Sequence, residues 1–239
     1  MIRCNLIGHS SGNAKLHLSS PFNQMEVDII ILKYLIWMMK FFLIPIFVIS
    51  SVFVTAKPID FDFKDPKGVN NIIFQMDAPL ESINGSGDSI TGTVTFNPNK
   101  PEETKGAIYL ESNSLHVGNP LLKEHMHGKE WLDVSKFKQI KFQLSKLHNI
   151  KKVKNDIFAD AKGKMSIRHI TIEMNIPVKI TYLKDLLIKR NRTPGDLLIL
   201  RSKFVVQRDD FDIQKGQSLD KVANEIEISL NLAGAAPKK

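Results

Sequence analysis

The chain has 239 residues, a formal net charge of +8 at pH 7 and an ordinary hydrophobic share of 43%. That length holds one large domain or two small ones with a well-buried core. A single cysteine, Cys4, excludes a disulfide within the chain. No nucleic-acid motif accompanies the basic charge, so a nucleic-acid partner is not expected.

Residues 1–38 lack strong periodicity and precede a second candidate start at Met38 or Met39. They are read as an extension outside the working protein. Residues 39–56 then carry the three parts of a secretory signal peptide. Met39-Lys40 is a short positive n-region, "FFLIPIFVISSVFVTA" an apolar h-region, and Val54-Thr55-Ala56 offers small residues for cleavage before Lys57. The competing reading is a permanent anchor, since the whole apolar run from Ile29 is long enough to span a bilayer. Against it, the run ends in a cleavage site and lacks a basic stop-transfer cluster. Cleavage after Ala56 leaves a mature chain without cysteine, hence without thiol chemistry, and a net charge of about +6. The expected location is periplasmic or secreted.

From residue 57 the dominant period is two. The segment "ITIEMNIPVKI" puts Ile170, Ile172, Met174, Ile176, Val178 and Ile180 on one face, and "IEISLNL" does the same from Ile226 to Leu232. Shorter runs repeat the pattern at Phe74-Met76, Val94-Phe96, Ile108-Leu110, Ile140-Phe142-Leu144 and Met165-Ile167. Each predicts a half-buried strand. Pro177 within the longest run predicts an edge, a bulge or a break. Turn chemistry separates the strands in "INGSGDS" (83–89), "NPNKPEE" (97–103), "NIKKVKND" (149–156) and "RNRTPGD" (190–196). Helix is credible near residues 120–132, capped by Asn119 with Pro120 in the first turn, and over 218–222. About eight antiparallel strands must hide their edges, in a sandwich or a closed barrel. Residues 57–235 form one domain without internal repeat, and 236–239 a disordered tail.

Three stretches carry a family resemblance. "GNPLLKEHMHGKEWLDVSKFKQIKF" (118–142), "GKMSIRHITIEMNIPVKI" (163–180) and "FVVQRDDFDI" (204–213) with the following "VANEIEISL" match, in order and spacing, motifs of the YceI-like family of bacterial exported proteins. Departures occur at Leu122-Lys123, His169, Glu173, Asp209 and Asp212, so the chain resembles a divergent member. The resemblance implies an all-β, lipocalin-like antiparallel barrel of about eight strands with one or two short helices. It also implies a long apolar cavity for a polyisoprenoid, quinone or fatty-acyl ligand, no catalysis and no cofactor.

The chemical candidates are few. In "KEHMHGKE" (123–130), His125 and His127 lie two apart, which on a helix points them in different directions. A structural or ligand-lining histidine is favoured over a metal site, and His125 falls on the family's histidine position. Arg208 in "QRDDF" is read either as a clamp for an anionic head group or, by preference, as the partner of Asp209, Asp210 or Asp133 in an internal salt bridge. No nucleophile or phosphate-loop motif supports an enzyme. Inward aromatic and sulfur side chains serve equally as plain core or as an adaptable cavity lining, and periodicity does not choose between them. With the resemblance, the ligand-lining set becomes Phe74, Met76, Phe96 and Met126, with Phe142, Met165, Ile167 and Phe204. Arg208, His125 and Asn119 are then expected at the mouth. The basic loops at 151–154 and 189–192 are either solvated tips or a contact with an anionic membrane surface. The oligomeric state is left open, a dimer included.

Overall fold

The computed structural model describes residues 32–37, 57–191 and 193–238. The chain divides into two units, Met1–Phe53 and Val54–Lys239. Of the first, residues 32–37 form a short helix. The expected signal peptide, and the extension before it apart from 32–37, lie outside the described residues.

The second unit contains eleven strand segments among its described residues: β1 (Ile59–Asp62), β2 (Asn71–Asp77), β3 (Ser82–Gly87), β4 (Ile90–Phe96), β5 (Lys105–Glu111), β6 (His116–Val117), β7 (Gln139–Val153), β8 (Asp156–Ile167), β9 (Ile170–Leu183), β10 (Gly195–Gln207) and β11 (Glu225–Pro237). Two helices, α1 (Pro120–His127) and α2 (Leu187–Asn191), interrupt them. The antiparallel order β1-β4-β5-β7-β8-β9-β10-β11 closes on itself through Asp62↔Ala235. Eight wall positions therefore make a barrel. β2, β3 and β6 continue β1, β4 and β5 towards the α1 end, with β2 still paired to β11 over Glu227↔Gln75 to Asn231↔Asn71. Asn70 pins the break between β1 and β2. Buried, it donates to the carbonyls of Phe63 and Ala233 at 2.9 and 3.2 Å and accepts from Ala233 N at 2.8 Å.

Several expectations change here. "INGSGDS" is mostly strand, because Gly85 is required by packing rather than by turning. A Cβ at Gly85 would lie 2.1 Å from the Phe74 ring and 2.5 Å from the His116 carbonyl. Residues 218–222 make a single turn (Val222 N to Ser218 O, 2.8 Å) rather than a helix. Helix α2 replaces part of the loop expected at 190–196. The tail is also ordered as far as described. Ala236 and Pro237 pair with Asp196 and Gly195, and Lys238 donates to Pro194 O and pairs with Asp185 and Asp196.

Inward side chains close one end of the barrel with aromatic bulk. Phe61, Phe63, Phe96, Leu187 and Leu198 are fully buried there. Tyr182 lies 6.2 Å, centroid to centroid, from both Phe61 and Phe96 and donates to Asp196 Oδ2 at 2.6 Å.

Candidate functional site: an apolar cavity with a caged arginine

Between that floor and α1, the barrel is hollow. The cavity measures about 250 Å³, roughly twenty times the ~10–15 Å³ that admits one water. Its lining is almost wholly apolar and comes from every wall position. Thr104 and Ser202 contribute hydroxyls, but these donate to the carbonyls of Pro101 and Pro177 at 2.5 Å each. The single charge is Arg208.

The cavity's roof is built by the two long connections. Helix α1 starts at Asn119, whose side chain accepts from Leu121 N and Leu122 N at 2.9 and 3.1 Å, and places Pro120 where a missing N–H costs nothing. Met126 within the helix, and Trp131 and Leu132 after it, face the cavity. From the β10–β11 connection come Phe211 and Ile213, both buried.

Arg208 holds that second connection together. Its side chain is 1% exposed, and all five N–H groups donate to backbone carbonyls. Nη1 reaches Ile213 at 2.8 Å and Gln214 at 2.5 Å, Nη2 reaches Gln217 at 2.8 Å and Val222 at 3.3 Å, and Nε reaches Ala223 at 3.5 Å. The guanidinium also lies 5.5 Å from the Trp131 ring centroid. Burial pulls its pKa below the ordinary arginine value, and nearby Asp209 offsets part of that. The expected salt bridge is therefore replaced by a carbonyl cage. Asp209 instead accepts from Gly216 N at 3.1 Å. The same cage leaves Arg208 no donor for a ligand head group, which corrects the clamp reading too.

Nine of the eleven residues singled out from sequence line the cavity: Phe74, Met76, Phe96, Met126, Phe142, Met165, Ile167, Phe204 and Arg208. Asn119 and His125 do not. Asn119 is occupied as the helix cap, and His125 is exposed on the helix surface. His127 has a structural task, its Nε2 lying 2.7 Å from the Leu115 carbonyl. Among the described residues no cluster of three or more His, Cys, Asp or Glu is placed to hold a metal. Sequence reasoning missed Trp131, Leu132, Phe211 and Ile213, which sit in irregular segments where no period marks the inward face. It also passed over aliphatic lining such as Leu144, Ile180 and Leu200.

Comparisons with known proteins fit this geometry. A family model described as a YceI-like domain matches residues 66–233. UPF0312 proteins of Yersinia pestis and Yersinia pseudotuberculosis are 25% identical over 97 residues, 41% of this chain and 48% of theirs. The matched region thus spans about half the length of those relatives. The crystal structure of Burkholderia cenocepacia BcnA superposes with a TM-score of 0.56 at 17% identity, over 69% of this chain and 95% of that one. A Campylobacter jejuni YCEI protein gives 0.53 at 13%, over 64% and 85%. A polyisoprenoid binding domain from Saccharophagus degradans gives 0.52 at 9%, over 77% and 99%. At these identities the likeness is one of fold.

Proposed function

The chain belongs to the YceI-like family, and from that premise we propose that its barrel binds a long-chain amphipathic lipid and carries or stores it in the cell envelope. The observation that carries the reading is the cavity. Protein interiors pack to crystal density with few voids larger than a water, so an apolar space of about 250 Å³ has a use. Each methylene moved into it from water contributes about 0.8 kcal/mol, and the almost wholly apolar lining suits a polyisoprenoid, quinone or fatty-acyl chain. The Saccharophagus degradans neighbour, a polyisoprenoid binding domain, supports the same class. A barrel filled by its own side chains, acting through its surface, is disfavoured by that same empty space.

The chemistry is sequestration rather than conversion. The lining offers no nucleophile paired with a base, and its one ionic group is fully engaged by carbonyls. We place the protein outside the cytoplasm, exported through residues 39–56. The exposed lysines at the β7–β8 tip, Lys151, Lys152 and Lys154, would add about 1 kcal/mol each against an anionic bilayer.

The test is native against denaturing mass spectrometry of the full chain, expressed in a bacterial host and purified without detergent. One stoichiometric adduct that moves into organic extract, with the mass of an isoprenoid, quinone or fatty-acyl compound, is expected. A protein that is empty, and that also fails to take up such lipids when offered, would overturn the reading.

A further inference from the structure

One rung of the barrel runs unbroken across six strands. The registers place Lys151 opposite Phe158, Phe158 opposite Lys179, Lys179 opposite Arg201, Arg201 opposite Asn231 and Asn231 opposite Asn71. Strands lie about 4.8 Å apart, so the row is about 24 Å long. Ile180 and Leu200, the chain neighbours of Lys179 and Arg201, line the cavity, and by alternation the row itself faces outward. Five of its six members, with Ile73, Ser229, Lys203 and Pro177 from the next row, border a groove on the outside of the wall. The groove lies beside the place where β7 loses register with β8, between His148 and Lys151.

The row carries three cations and no carboxylate. Lys179 and Arg201 face each other directly, and like charges directly opposite destabilise a strand pair. Asp156 relieves this in part, 2.7 Å from Lys179. Arg201 and Lys151 form no salt bridge among the described residues. Arg201 gives one N–H to Asn231 Oδ1 at 2.9 Å, and Asn231 in turn donates to Asn71 Oδ1 at 3.5 Å. These amides hold the exposed guanidinium in place and leave its other donors for a carboxylate. Phe158 stands between Lys151 and Lys179, 43% exposed. In the next row the one carboxylate, Asp160, is already engaged by Asn149 Nδ2 at 2.7 Å. A straight line of charges with an aromatic face between them fits a linear anion. Along the row β8 to β11 are paired on both sides, so no backbone group is open to an added peptide strand. A chain of sugar rings needs none. Its carboxylates meet the cations, its hydroxyls the amides, and the C–H face of one ring meets Phe158. Successive rings advance by a step close to the spacing between strands.

We propose that the outer wall binds an acidic polysaccharide along this row, with uronate carboxylates on Arg201, Lys179 and Lys151 and one ring against Phe158. The site shares no member of the row with the cavity and does not depend on what the cavity holds. Calorimetric titration of the full chain with hexagalacturonate tests it, with maltohexaose as the neutral probe. The variants are R201Q/K179Q, F158A, and K64Q/K100Q as a charge-matched control away from the row. Hexagalacturonate should bind the wild type and the control alike, and maltohexaose about tenfold more weakly or less. R201Q/K179Q should lose about tenfold in affinity for hexagalacturonate. F158A should lose about threefold, which an interaction of charge alone would not show. No binding of hexagalacturonate, or an affinity unchanged in R201Q/K179Q or in F158A, would each overturn the proposal. So would hexaglutamate or phosphatidylglycerol vesicles that match hexagalacturonate and weaken equally in R201Q/K179Q, since the row would then serve an acidic peptide or a membrane.

Discussion

Arg208 has five N–H donors, and the fold supplies five carbonyls from Ile213 to Ala223. A buried guanidinium is tolerable because every donor is satisfied, and the connection that carries Phe211 and Ile213 keeps one shape because the cation organises it. Lysine has three donors at one point, so Arg208→Lys strands at least two carbonyls. A loss of about 2–5 kcal/mol is expected, read as a lower denaturant midpoint, together with weakened lipid binding because the cavity roof loosens. Asp196 plays a comparable part at the closed end. Burial alone would raise its pKa, but hydrogen bonds from Tyr182 and the Asp185 N–H, and the nearby Lys238 ammonium, outweigh burial and hold it below the usual carboxylate value. A depressed folded-state pKa means that its stabilisation is complete above the unfolded-state value, about 3.9, and is lost as pH falls through the lower folded-state value. Asp196→Asn should cost about 1–3 kcal/mol at pH 7, and the gap to wild type should close below pH ~4 in a series of thermal melts. A gap independent of pH would contradict this assignment.

At the scale of elements, β9 and most of β11 were legible, β7 and β8 only in part, and most of β10 and all of β3 were not. β9 and β11 alternate without interruption, so period two finds them. β3 was hidden by two glycines and an asparagine, residues whose local preference is for turns. Tertiary contact overrides that preference, since Gly85 leaves room for the Phe74 ring. Gly85→Ala should therefore destabilise by about 1–3 kcal/mol through overpacking, and Phe74→Leu in the same chain should recover part of it. Recovery stays incomplete because the His116 carbonyl, 2.5 Å from the added Cβ, cannot retreat as a side chain can. A double-mutant cycle in urea measures both steps. The candidate site divides the same way. The strand residues that line it follow from alternation once a barrel is assumed, whereas Trp131, Phe211 and Ile213 depend on how two irregular connections fold back. Pro177 marked a break in pairing, but only the registers show that the break opens on β10 and leaves the β8 ladder whole.

At the scale of the molecule, the question is whether the barrel's interior is core or container, and a single substitution separates the two. Ala161 lies mid-way along β8 and faces the cavity. In a filled core, a phenylalanine there would force off-rotamer packing and cost about 1–3 kcal/mol or more. In a container, the ring moves into empty space, removes its own apolar surface from water, and leaves the wall unstrained. Ala161→Phe should accordingly melt within a few degrees of the wild type while its lipid affinity falls at least tenfold, because a ligand loses about 0.8 kcal/mol for each methylene the ring displaces. Thermal melts with and without added geranylgeraniol read both quantities in one experiment. Wild type should gain melting temperature with the lipid, in line with linkage, and Ala161→Phe should not. A variant that unfolds outright would mean that the space is not available to a guest, and the search for function would move to the outer wall.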